Sequence, residues 1–278
     1  MMDIQTISKV LFFSMQQAGI MANMMQEGIV NEKKETIRRN QESDAHYAMR
    51  EAKTKVDEMV QEMLLHSVYP YLSDCCSLDV EEDTPFLDAY LIKDDSYVLI
   101  LDPIDGTLPY IQQRDSFSIC AGITHNHDFI LAMVYFPARD QLYLYNEIEG
   151  CKIYEHASCC LYEDGLPWTL PTTSTSSTTI YVNDRVEKDY IEKLEALGYT
   201  VYDDSRNQIG VPDVLLSIAS KQTLALCAHT RNLRDLLLGV ILSKVDGGYA
   251  YDFSGNVLVY ENRGRQSDVI FTTKEYKK

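Results

Sequence analysis

Apolar positions along the chain fall into two regimes. From Ile4 they recur at helical intervals through Ile7, Val10, Leu11, Ala18, Met21 and Met25, which predicts a first helix over residues 3–28. Ala52, Val56, Met59, Val60, Met63 and Leu64 form a second stripe and predict a helix over 49–66. Residues 31–51 between them are polar and charged, starting NEKKETIRRNQESD, and read as a connection or a solvated helix extension. Then the period shortens. Residues 97–101, 117–124 (FSICAGIT) and 129–136 (FILAMVYF) are strand-like, the last two joined by HNHD. QLYLY (141–145) and residues 152–154 are shorter candidates.

Residues 163–178, EDGLPWTLPTTSTSST, are rich in proline, serine and threonine and mark the expected crossing between two units. Beyond them the pattern alternates: strand 179–183, helix 186–197, strand 199–202, helix 211–220, strand 223–228 and helix 233–244. Two helices followed by neighbouring antiparallel strands make the first half α+β, and alternation makes the second α/β. The expected division is an N-terminal unit, 1–172, and a C-terminal unit, 173–278. No internal repeat or sustained heptad is present.

Composition narrows the function classes. Acidic residues outnumber basic ones 42 to 25, a formal charge of −17, which argues against a nucleic-acid polymer or an anionic membrane as partner. A small anionic substrate stays open, because a bound metal can reverse the local field. The seven cysteines contain no C-x-x-C pair, so reduced thiols are expected and structural zinc is not. No apolar run approaches the roughly 20 residues that span a bilayer. The N-terminal stretch lacks a basic region and a cleavage site, so the expected location is cytoplasmic.

One stretch concentrates the chemistry. LDPIDGTLPY (101–110) ends an apolar run with Asp102 and Asp105, three residues apart, followed by Gly106 and Thr107. A turn there can aim both carboxylates and the Ile104 carbonyl at one point, an all-oxygen set suited to a hard cation such as Mg²⁺. Gly106 allows close approach of a ligand, and a short helix beginning at Thr107 would present free N–H groups to a phosphate. The same composition also suits an Asx-type turn with solvated acids. Asp57, Glu81–Glu82 and Asp235 are further acids at candidate positions. Taken alone, Asp235 in the first turn of a helix is best explained by the helix dipole, and a charged loop is the default reading of Glu81–Glu82.

Taken in order, these elements resemble the inositol monophosphatase family of metal-dependent, often lithium-sensitive phosphatases. The resemblance lies in TKVD (54–57), VEED (80–83), DPIDGT (102–107), RDLLLG (234–239) and GVPDVLLSIASKQTLAL (210–226), and spans most of residues 50–250. It implies a two-domain, layered α-β-α-β-α sandwich of the sugar-phosphatase type, with most metal ligands in the first unit and Asp235 supplied by the second. It also implies two or three Mg²⁺ per site. Glu81, Asp102 and the Ile104 carbonyl would hold the first ion. Asp102, Asp105 and Asp235 would hold the second, and Asp57 would assist a third through water. Glu81 and Thr107 would orient a metal-activated water, while the Gly106 and Thr107 N–H groups would bind phosphate. A homodimer is implied by the resemblance alone. No histidine is needed for this chemistry.

The chain departs from the family at RDLLLG. Arg234 stands where a tryptophan is usual, and Leu236, Leu237 and Leu238 replace small residues, which demands a rearranged neighbour. Ala228 and Val211 occupy positions where inositol-specific members carry glutamate and serine. Losing such polar contacts shifts specificity. Arg231 and Arg234 are candidates to bind a second anionic group; the alternative for Arg234 is a snorkelling side chain or a pair with a surface acid. The expected function is therefore a Mg²⁺-dependent phosphomonoesterase acting on a small phosphorylated metabolite. The alternatives are a phosphatase of a nucleotide bisphosphate (3′-phosphoadenosine 5′-phosphate) or a sugar bisphosphate (fructose-1,6-bisphosphate), and a degenerate, non-catalytic member.

Overall fold

The computed structural model describes residues 2–38, 44–90, 96–173, 176–203 and 210–275. Helix α1 (Ile4–Met25) begins at Asp3, whose carboxylate accepts the Thr6 N–H at 3.1 Å, and buries Ile4, Ile7, Leu11, Phe12, Met15, Ala18 and Ala22 on one face. The second expected helix is divided. Residues 49–51 belong to a short α2 (Asp44–Glu51), while α3 runs Lys55–Leu72. The break has a local cause: Thr54 and Asp57 form a capping box that starts α3 afresh. Pro70 falls in the last turn of α3, where it costs a single ladder bond, so the helix outruns the expected end at 66. Met59, placed on the apolar stripe, is instead exposed.

The first sheet has seven strands in sequential order: β1 (Ser77–Val80), β2 (Tyr97–Asp105), β3 (Ser118–His125), β4 (Asp128–Phe136), β5 (Gln141–Asn146), β6 (Gly150–Glu155) and the two-residue β7 (Leu166–Pro167). Between β2 and β3 lies the one-turn α4 (Thr107–Ile111). All pairings are antiparallel except β1 with β2, which is parallel. The strands β3 and β4 are buried along nearly their whole length, because helices cover both faces of the sheet. On β2 the two-residue period sorts Leu99 and Leu101 into the core beneath α1 and α3, and Val98 and Ile100 into the core on the other side.

The second sheet is built from β8 (Thr179–Val182), β9 (Thr200–Asp203), β10 (Ala225–Asn232), β11 (Tyr249–Tyr251) and β12 (Arg265–Thr272), in the order β11-β12-β10-β8-β9. Three helices accompany it: α5 (Lys188–Ala196), α6 (Val211–Ala219) and α7 (Leu237–Lys244). The β10-β8-β9 half is parallel, as the alternating pattern predicts, but β12 enters antiparallel between β10 and β11. Neither β11 nor β12 was expected. The predicted helix over 233–244 opens as a 3₁₀ turn, Arg234–Leu236, before α7.

Helices α6 and α7 lie between the two sheets and share one core with both, drawing on Val134 and Phe136 from one sheet and Val269 and Phe271 from the other. Side chains of α5 pack against the outer face of the second sheet, where Ile180, Val182 and Cys227 are buried. The layers therefore run α1/α3, first sheet, α6/α7, second sheet, α5, the five-layer α-β-α-β-α order expected. Among the described residues no helix is long and apolar enough to cross a membrane, and all seven cysteines are free thiols.

The leucines of 236–238 find room by an exchange of bulk. All three are buried at 1% exposure or less, each worth about 1.5–3 kcal/mol of burial. Leu237 leans on Gly122 of β3, where an added Cβ would stand 2.8 Å from Leu237 Cδ2. On the opposite side Gly239 abuts the Phe271 ring, 2.5 Å from where its Cβ would be.

Candidate active site

The turn 102–107 is shaped by a break in the sheet. Asp102 pairs with Cys120 and Asp105 with Ser118, so two residues of β2 bulge past a single residue of β3. Gly106 follows at φ +91°, and a Cβ there would come within 2.8 Å of the Ser116 carbonyl oxygen, so glycine is required. Its reversal starts α4 at Thr107, placing the first N–H groups of that helix beside the two acids. Thr107 Oγ1 stands 3.0 Å from both Asp57 Oδ1 and the Ile104 carbonyl oxygen, sharing its proton between them.

Asp57 serves local structure first. Its Oδ2 accepts from Thr54 N–H at 2.9 Å and Thr54 Oγ1 at 2.6 Å, and its Oδ1 takes the Thr107 hydroxyl. It ties α3 to the turn from behind and does not line the cleft. The expected charged loop at Glu81–Glu82 is the exit of β1, whose Val80 pairs with Leu101, so Glu81 emerges next to Asp102. The two glutamates diverge. Glu82 is buried under Lys34 (2.7 Å), Lys53 (3.0 Å) and Gln61, whose side chain bridges the Glu82 backbone. Glu81 lines the cleft, with its Oε1 2.5 Å from Lys34 Nζ.

The second sheet completes the cleft. Asp235 lies in the 3₁₀ turn and makes no cap hydrogen bond; its Oδ2 instead accepts Arg231 Nε at 2.9 Å. Arg234 pairs with Asp79, an acid of β1 at the rim of the cleft. Its side chain is 20% exposed, with Nη1 3.7 Å from Asp79 Oδ1 and Nε buried without a partner. Asp79 is itself held by the Gly264 N–H at 2.6 Å, which joins the two sheets at this rim.

Electrostatics separate Asp102 and Asp105 from Glu81. Burial, reinforced by Glu81, Asp105 and Asp235, holds Asp102 well above the usual carboxylate range. Burial and then Asp235 do the same to Asp105. Burial also acts on Glu81, but the Lys34 ammonium and the Arg234 guanidinium together hold it below its ordinary value. Behind the turn, burial pushes Asp57 up to about 6 against the opposing Thr54 hydrogen bonds.

Glu81, Asp102, Ile104, Asp105, Gly106, Thr107, Arg234 and Asp235 all line one cleft of about 360 Å³. Lys34, Arg50, Arg185, Arg231 and Arg265 share its wall, and of these only Arg231 was singled out from sequence. A cluster of basic residues in a chain of charge −17 was the one available signal, and they are scattered over 230 residues of sequence. The chemistry fits a hard cation: the donors are oxygens, and Asp102 Oδ1 and Asp105 Oδ2 are buried with no hydrogen-bond partner. Among the described residues no three acidic, histidine or cysteine side chains close around a common point, and Glu81 and Asp235 are each engaged by a cation. His66 and His125 stack on Phe86 and Tyr97, and His229 pairs with Asp268, all outside the cleft.

The layer order defines a sandwich of the sugar-phosphatase type, with its acid-lined cleft where the two sheets meet. The chain belongs to the inositol monophosphatase family, whose sequence profile matches residues 6–273. No curated protein matches it by sequence. Solved structures share its fold at low identity. A staphylococcal inositol monophosphatase-1, solved as a lithium chloride-soaked inhibitory complex, is 16% identical with a TM-score of 0.71, covering 99% of this chain and 92% of the other. An IMPase/NADP phosphatase complexed with Mg²⁺ and phosphate is 17% identical, TM-score 0.69, over 98% and 92%. The Thermotoga maritima IMPase is 18% identical, TM-score 0.64, over 94% and 90%.

Proposed function

We propose that the chain hydrolyses the phosphate monoester of a small metabolite with Mg²⁺ as cofactor. The observation that carries this is the pair of buried, unpartnered oxygens, Asp102 Oδ1 and Asp105 Oδ2, beside the first turn of α4. Asp102 and Asp105, with Glu81, Asp235 and the Ile104 carbonyl, are the groups suited to hold the ion. A bound divalent cation supplies neutralising charge and lowers the pKa of a coordinated water. The chain's own groups do the rest. The N–H groups of Gly106 and Thr107 receive phosphate oxygens. Thr107, its proton committed to Asp57 or to the Ile104 carbonyl, offers lone pairs to the attacking water. Inhibition by lithium belongs to the same proposal, on the strength of the staphylococcal relative's inhibitory complex.

A second reading, a substrate carrying two anionic groups, is favoured by the six basic side chains around the cleft. The test is a phosphate-release screen across inositol, sugar and nucleotide mono- and bisphosphates with Mg²⁺, run beside Asp105→Asn. The expected outcome is turnover by wild type and a loss of at least about 10³-fold in the variant. Preference for bisphosphates selects the second reading. Absence of turnover on every class leaves a non-catalytic member.

A further inference from the structure

Arg234 is the feature of the cleft that a phosphate site built on bound metals does not call for. It comes from a turn that cannot easily swing away, because Leu233 and Leu236 on either side are both fully buried. Its guanidinium is enclosed, with Nε lacking any partner, and the charges around it are Glu81, Asp102, Asp235 and Asp79. A buried guanidinium with an unsatisfied N–H is costly unless nearby anions stabilise it. Here it is those carboxylates, three of them assigned to metal by the family resemblance, that do so.

Two further cations act in the same way. Lys34 Nζ lies 2.5 Å from Glu81, and Arg231 Nε 2.9 Å from Asp235. Four carboxylates face the cleft, and three fixed positive charges from the chain stand against them. The balance is −1, which one divalent ion turns to +1 and a second would raise to +3. Each further ion must enter a poorly screened site beside a fixed guanidinium, where like charges repel strongly. The unpartnered oxygens of Asp102 and Asp105 mark where the one ion fits.

We propose that Arg234 takes the electrostatic place of one divalent cation, so that this chain binds one tight metal ion where its carboxylates alone could hold two. The proposal rests on the metal-dependent reading above. In it Arg234 is a positioning residue for charge: it supplies permanently the positive field that a second ion would bring.

The test counts ions directly, with Mn²⁺ as the probe and the full chain in equilibrium dialysis and electron paramagnetic resonance. Wild type is expected to bind one ion per chain. Arg234→Met, which keeps the length of the stem and removes the charge, is expected to bind two, with the first about tenfold tighter or more. Arg234→Lys is expected to stay at one. Should Arg234→Met fail to fold, Lys34→Met releases Glu81 and is expected to admit a second ion as well. Equal counts and affinities in wild type and in the uncharged variant overturn the proposal. If those equal counts are two or more, the phosphatase reading stands without it. If neither protein binds Mn²⁺, the metal-dependent reading falls too.

Discussion

Asp102 and Asp105 carry the same charge as Glu81 and Asp235 and line the same cleft, yet the two pairs have different partners. The first pair sits on one bulged strand and one turn, with an oxygen of each buried and unpartnered. The second pair is brought in by other elements, β1 and the 3₁₀ turn before α7, and each member meets a cation from elsewhere in the chain. In the metal-free protein the first pair is held together against repulsion by the fold, while Glu81 is stabilised by its neighbours. A carboxylate's contribution is therefore set by what the tertiary structure aims at it, not by its membership of a ligand set.

The contrast can be broken by measurement. The largest effect expected is on Glu81→Gln in EDTA: a loss of about 2–3 kcal/mol by chemical denaturation, since Lys34 and Arg234 each lose a partner. Because Glu81 titrates below its ordinary value, this stabilisation is present above the unfolded-state pKa near 4.3 and fades as the pH falls through the lower folded value. Asp105→Asn is expected to do the reverse under the same conditions, gaining about 1–2 kcal/mol at neutral pH. The Asp105 pKa is raised, so wild type loses stability as pH climbs above about 3.9, the variant does not, and the gain vanishes below that pH. If both substitutions shift stability in the same direction, the two pairs are not different. The smallest effect tests how the altered segment is seated. Gly122→Ala should cost about 1–2 kcal/mol by crowding Leu237, and Gly122→Ala combined with Leu237→Val should cost less than the two singly summed.

Legibility followed locality. The strands from 97 to 136 and α1 were readable because each carries its own period and its own buried face. β1 was not, since four residues before a run of acids give too short a pattern, and its partner β2 lies some twenty residues on. β12 escaped because its place between β10 and β11 depends on pairings made across more than thirty residues to β10 and about twenty to β11. The helix start at Lys55 was legible in principle: Thr54 and Asp57 spell a capping box, but the apolar stripe through Ala52 outweighed it. Among site residues, the turn 102–107 is self-contained, whereas Lys34 reached Glu81 from a stretch that reads as featureless.

The sequence by itself determined an α+β half followed by an α/β half, the turn with its two acids and its necessary glycine, and the run of Arg234 and three leucines. These are properties of neighbours in the chain, fixed by dihedral limits and side-chain periodicity. Only the tertiary structure decided that Leu237 is accommodated by a glycine on the facing sheet, that Glu82 is structural while Glu81 faces the cleft, and that Arg234 points into the acids. Those outcomes depend on which surfaces come together at long range, because packing volume and Coulomb energy are set by distances that the order of residues does not specify.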